Sequence, residues 1–124
     1  MPFSRGDAHE AAESLLTQSL KTQWSDALIE RYGDLTSGDA AAQLKFAESF
    51  IRSHQDDADL FLALGRLALR NDSPQQAREY LETSLRLSPC AAVYRELGRA
   101  CVAMNDRDRA VEYFSQQAVH ERGA

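Results

Sequence analysis

Apolar residues recur along almost the whole chain with the 3.6-residue period of amphipathic helices, and short polar turns interrupt them. No stretch alternates apolar and polar residues as a half-buried strand does, so the pattern predicts an all-α protein. Seven helices are expected, at 8–22, 24–33, 39–54, 58–71, 74–87, 91–104 and 107–121. Trp24, Leu28, Ile29 and Tyr32 share one side of the second, and Leu44, Ala47, Phe50 and Ile51 stripe the third. The breaks have chemical causes. Gly33 supplies a stop, and 34–38 reads as a turn. Asp39 is suited to cap the third helix and Asp56 or Asp57 the fourth. Pro74 stands at the first position of the fifth, where its missing N–H costs nothing. Asn105-Asp106 joins the last two.

Part of this pattern occurs twice, 33 residues apart. Phe61-x-x-Leu64-Gly65-x-x-Ala68, followed by Ala77-x-x-x-Leu81 and Ser88-Pro89, returns as Tyr94-x-x-Leu97-Gly98-x-x-Cys101 followed by Ala110-x-x-x-Phe114. Glycine inside a helix costs up to about 1 kcal/mol relative to alanine. Two at equivalent positions therefore imply that two helix backbones approach closely there, with Ala77 and Ala110 as the small residues opposite. Phe61, Leu64, Leu81, Tyr94, Leu97 and Phe114 fill the space between and belong to the core. The arrangement resembles the tetratricopeptide repeat (TPR), a helix-turn-helix unit of about 34 residues. That resemblance implies a solenoid of antiparallel helix pairs with a concave binding surface. Residues 1–124 then form a single domain, with repeats at 58–89 and 91–121 and a degenerate repeat at 24–54. Residues 8–22 make an orphan second helix of a truncated repeat, because Ala12, Leu16 and Ser19 share the spacing of Ala77, Leu81 and Ser84. Such an orphan exposes Leu15, Leu16 and Leu20, a patch that invites self-association.

Composition narrows the function classes. At 124 residues the chain can build one domain with a real core. The net charge of −5 is uneven: residues 1–57 carry 5 basic and 10 acidic side chains, residues 58–124 carry 9 of each. No strongly basic region exists to hold a phosphate backbone, which argues against nucleic acid. No apolar run approaches the roughly 20 residues that span a bilayer, and the start has no apolar stretch of signal-peptide length. The segment is expected to be soluble, with no membrane contact of its own. Cys90 and Cys101 match no metal or redox spacing; Cys101 takes the slot of Ala68, which makes it a buried, inert thiol. Two free thiols suit a reducing compartment. His9, His54 and His120 fall on three separate helices without metal-ligand spacing. There is no phosphate-binding glycine loop and no nucleophile motif. No catalytic residue, metal site or cofactor is expected, and the chain does not read as an enzyme.

Twelve of the 14 basic residues are Arg. This reflects either the codon usage of a GC-rich genome or arginines that recognise carboxylates, which a planar bidentate donor does well. The first helix of each pair lines the concave side of such a solenoid. At 100° per residue, Leu62, Arg66, Leu69 and Arg70 point away from the partner helix, and Arg95, Arg99 and Val102 form the equivalent face one repeat on. With Tyr32 they make the candidate concave binding face. Arg66/Arg70 and Arg95/Arg99 are i,i+4 pairs, so each forms a two-arginine ridge. Such a face suits an anionic, partly apolar partner: a peptide carboxylate, an acidic helix, or a tetrapyrrole with propionates. The alternative is that these are solvated surface arginines, some paired with Asp59 or Glu96.

A longer correspondence covers about 12–118. Trp24 leads into Leu28-Ile29-Glu30-Arg31-Tyr32-Gly33, then Gln43-Leu44, Ala47-Glu48 and His54-Gln55-Asp56-Asp57. Leu64-Gly65-Arg66-Leu67-Ala68-Leu69-Arg70-Asn71 and Ala77-Arg78-Glu79-Tyr80-Leu81-Glu82-Thr83-Ser84-Leu85 follow. This order resembles the C-terminal region of the proteobacterial HemY family, inner-membrane proteins linked to late protohaem synthesis. Gln55 departs from it, standing where proline is usual before the Asp pair. The resemblance implies a scaffold anchored by two N-terminal membrane helices that lie outside these residues. It would place the present segment on the cytoplasmic side of a bacterial inner membrane, with haem-synthesis enzymes as protein partners. An unrelated flavin-dependent oxidase shares the family name, and nothing here resembles it. Two other readings stay open: a general adaptor for another bacterial assembly, such as a secretion or chaperone complex, and a direct porphyrin or haem carrier.

Overall fold

Capping chemistry sets most of the helix boundaries. The computed structural model describes residues 5–123, with side chains from Ala8 onward. The described residues form α1 (Arg5–Thr22), α2 (Asp26–Gly33), α3 (Ala40–Glu48), α4 (Ala58–Arg70), α5 (Pro74–Leu87), α6 (Ala91–Ala103) and α7 (Arg107–Gly123), with no strand. Ser25 accepts the N–H of Leu28, Asp39 that of Ala42, and Asp57 those of Asp59 and Leu60. Asp57 rather than Asp56 is therefore the cap of α4. Pro74 opens α5 as expected. Asp72 (φ 57) and Asn105 (φ 61) occupy the left-handed region at equivalent positions after α4 and α6. There the N–H groups of Ser73 and Asp106 reach back to the carbonyls of Ala68 and Cys101, at 2.9 and 2.8 Å, and close both helices in the same way.

Three local expectations are corrected. Trp24 lies outside α2, because the Ser25 cap starts the helix at Asp26. The single helix expected at 39–54 stops at Glu48. The Ser49 hydroxyl donates to the Phe46 carbonyl at 2.5 Å, the backbone tightens to i→i+3 bonds, and a 3₁₀ turn follows at Ile51–Ser53. His54 thus stands outside any helix, stacked on Trp24 with ring centroids 3.9 Å apart. Gly33 does not use left-handed backbone. A methyl group there would lie 2.8 Å from the Ala63 Cα, so glycine is needed for the close approach of α2 to α4.

The helix pairs α4–α5 and α6–α7 pack as the repeated motif requires. A methyl at Gly65 would lie 2.3 Å from Leu81 Cδ2, and one at Gly98 would lie 2.3 Å from the Phe114 ring. Leu64, Leu81, Leu97, Ala77 and Cys101 are buried, and burial pushes the Cys101 thiol up. α5 also packs on α6, which continues the stack. α4 is covered from both sides, by α5 and by α2 with α3, so every residue from Leu60 to Gly65 is buried. Tyr32 of α2 meets Phe46 of α3 with ring centroids 5.3 Å apart, and Trp24, just before α2, meets Phe50, just beyond α3, at 5.0 Å. α1 rests on α2. Leu20 is buried and Leu16 half-buried there, which leaves Leu15 as the exposed leucine of the expected patch.

Candidate functional site

A cleft of about 420 Å³ opens between α4, α6 and the turn after α2. Its position follows from the repeat. Consecutive first helices lie side by side in the stack, so residues one repeat apart, such as Arg66 and Arg99, come to face the same groove. Arg66, Leu69 and Arg70 line it from α4, and Arg95, Glu96 and Arg99 from α6. Gly33 through Thr36 form the third wall.

The charges are organised around one carboxylate. Glu96 is buried, with 4% of its side chain exposed. It accepts from Arg66 Nε at 2.8 Å and from Arg99 Nη1 at 3.3 Å, and Arg95 Nη2 lies 3.6 Å away. Arg66 also pairs with Asp34, Nη1 to Oδ1 3.3 Å. Burying a carboxylate is unfavourable unless it is paired and hydrogen-bonded, and the arginines supply that compensation. Two carboxylates face four guanidinium groups, so the cleft carries a surplus of positive charge in a chain whose net charge is −5. Arg95 Nε is buried and finds no acceptor among the described residues.

Arg70 has a different task. It donates to the carbonyl of Leu35, to those of Ser37 and Gly38 at 3.2 and 3.3 Å, and to Gln43 Oε1 at 2.6 Å. Gln43, buried in α3, passes the connection on: its Nε2 donates to Glu13 of α1 at 2.5 Å and to the Ser37 carbonyl at 3.0 Å. Gly38 turns with φ +88, and a side chain there would run into Gln43 and Glu13. The 34–38 turn, whose first residues form that wall, is thus fixed by one arginine and one buried glutamine.

Of the residues expected on the concave face, Arg66, Leu69, Arg70, Arg95 and Arg99 come together here. Leu62 and Tyr32 do not: both are buried in the core. The side of α4 away from α5 is not open to solvent along its first turns, because α2 and α3 cover it. Val102 is exposed but lies outside the lining. Asp59, weighed as an arginine partner, makes no ion pair among the described residues, whereas Glu96 pairs with three arginines. The contribution of Asp34 and its turn was not legible, because it depends on how α2 docks against α4. Arg95 and Arg99 one helical turn apart, with Glu96 three residues before Arg99, were the available signal for Glu96.

A second cluster lies at the other end of α2. Carboxylate oxygens of Asp26, Asp57 and Asp59 lie within 4.8 Å of one another. Trp24 Nε1 donates to Asp26 at 3.2 Å and to Asp57 at 3.0 Å. The hydrogen bond and charge of Asp57, together with burial, hold the Asp26 carboxyl above its ordinary range; burial and the charges of Asp26 and Glu30 do the same for Asp59. Asp57 is already engaged as the α4 cap. Cys90 is exposed, and no helix among the described residues is long and apolar enough to cross a membrane.

Comparison with known proteins bears on what such a stack is for. A family model described as the tetratricopeptide repeat matches residues 37–92 and again 62–119. No curated protein matches the chain. Among solved structures, one titled "Crystal structure of MamA" superposes with a TM-score of 0.74 at 19% identity, covering 99% of this chain and 78% of that one. At that identity the likeness is one of fold.

Proposed function

Because the chain belongs to the tetratricopeptide-repeat family, we propose that it is a protein-interaction scaffold, a binding rather than a catalytic protein, whose partner docks in the arginine cleft. The carrying observation is the convergence of Arg66, Arg70, Arg95 and Arg99 on one groove in an otherwise acidic chain. Guanidinium groups in a partly desolvated groove recognise carboxylates by paired N–H donors. Arg95 and Arg99 are the two to test, since Arg70 is committed to the 34–38 turn and Arg66 is 13% exposed between two carboxylates. Fluorescent peptides of graded charge, followed by anisotropy, are expected to bind in the order acidic, neutral, basic. Arg95→Gln with Arg99→Gln is expected to abolish that order; Glu96 keeps Arg66 but loses two partners, so the melting temperature should fall, and circular dichroism checks that the helices remain. Equal binding of all peptides, or no response to the double variant, contradicts the proposal.

A finer reading places the scaffold in late haem synthesis, on the cytoplasmic side of an inner membrane to which further segments anchor it. Its support is the ordered resemblance from Trp24 to Leu85 to the HemY family; the division into 24–54, 58–89 and 91–121 rests on the repeat spacing instead. The arginines would also suit the propionates of a tetrapyrrole carried directly. Titration with haem separates carrier from scaffold: a shifted Soret band at stoichiometric concentration favours the carrier, and an unchanged band removes it. Co-purification of a membrane-anchored form with ferrochelatase favours the haem-synthesis scaffold, and its absence leaves the general adaptor.

A further inference from the structure

The two carboxylates in the cleft differ in kind. Glu96 is 4% exposed, and both of its oxygens are engaged by guanidinium groups. Removing it would strand buried positive charge, so it is a fixed part of the wall. Asp34 is 62% exposed and has one ion pair, 3.3 Å to Arg66. Its backbone is held independently of that pair, because its N–H is bonded to the carbonyls of Glu30 and Arg31 at 3.1 and 3.2 Å. The wall behind it is held by Arg70 and Gln43. The Asp34 carboxylate can therefore rotate off Arg66 without moving the backbone that carries it.

Resting on the docking reading above, we infer that Asp34 is a built-in competitor, a carboxylate of the chain itself on the guanidinium that a ligand carboxylate would occupy. The ligand class this assigns is an acidic peptide segment with at least two carboxylates. One displaces Asp34 at Arg66, and the other meets the unused donors of Arg95 and Arg99 on the opposite side of the groove. A single carboxylate would merely exchange for Asp34 and gain little; the second supplies the net attraction. The competitor thereby sets a threshold that favours runs of acidic residues over isolated ones.

Asp34→Asn tests this, with Glu112→Gln on exposed α7 as a control of equal charge change. A half-exposed ion pair is worth up to about 1 kcal/mol, so Asp34→Asn is expected to bind a di-acidic peptide up to about 5-fold more tightly. It should also narrow the preference for the di-acidic over the mono-acidic peptide, while Glu112→Gln changes neither. Binding by Asp34→Asn where the parent chain shows none supports the inference equally. Unchanged affinity in Asp34→Asn with a parent that does bind overturns the competitor and leaves the docking reading standing. An equal gain in Glu112→Gln also overturns it, in favour of a general charge effect. No binding by either Asp34→Asn or the parent overturns both.

Discussion

Gly65 and Gly98 fill the same place in two repeats, yet their neighbours respond differently to an added methyl. Opposite Gly65 stands Leu81, fully buried between α4 and α6; opposite Gly98 stands the Phe114 ring, exposed at its edge. Overpacking costs about 1–3 kcal/mol, against a helix-propensity gain of about 1 kcal/mol for alanine. Gly65→Ala is expected to lose up to about 2 kcal/mol by denaturant unfolding, and Gly98→Ala distinctly less because the ring can swing outward. Glu96→Ala should lose about 2 kcal/mol, since it strands Arg66 in a partly buried site. The aspartate cluster acts in the opposite sense. A carboxyl held above its ordinary range in the fold binds its proton more tightly than in the unfolded chain. It therefore contributes stability at low pH that is lost as the pH rises through the raised value. Asp26→Asn removes that loss and keeps an acceptor for Trp24. The variant is expected to be more stable than the parent by about 0.5 kcal/mol at pH 7, with the difference vanishing below the ordinary aspartate value of 3.8. Melting curves across pH check the sign.

The turn after α2 is the element on which the site depends. Arg70→Met keeps the aliphatic stem but removes the donors to three carbonyls and to Gln43. It is expected to cost about 2 kcal/mol and to speed amide exchange at 34–38 well above that of α4. What could be read from residues alone divides here. The helix pairs of the two regular repeats were legible, because Leu-Gly, alanine and aromatic spacing repeats at 33 residues and each cap is a local event. Asp57 and Pro74 act within one turn of where they stand. The end of α3 was not legible, because an apolar stripe continues through Phe50 and Ile51 while the Ser49 hydroxyl donates to a backbone carbonyl and the Phe50 ring packs tilted against Trp24. The arginine ridges were legible as helix faces. Burial of Leu62 and Tyr32 was not, since it depends on the docking of α2 and α3 over α4.

At the scale of the molecule, the stack separates two functions by face. The surfaces between helices carry Phe61, Leu64, Leu81, Leu97 and the two glycines, and specify only the solenoid. The groove between successive first helices carries the charge. The positive surplus of this groove, in a chain of net charge −5, attracts anions from a distance and is screened by salt, so peptide affinity is expected to fall as ionic strength rises. The central claim is that this groove is the docking site, and amide-resolved NMR of the isotope-labelled chain titrated with a di-acidic peptide tests it most directly. Progressive shifts confined to 33–36, 66–70 and 95–99 are the expected result. Shifts centred instead on α7, on α1 or on the Trp24–Asp57 end of α2, or no shifts at millimolar peptide, would contradict it.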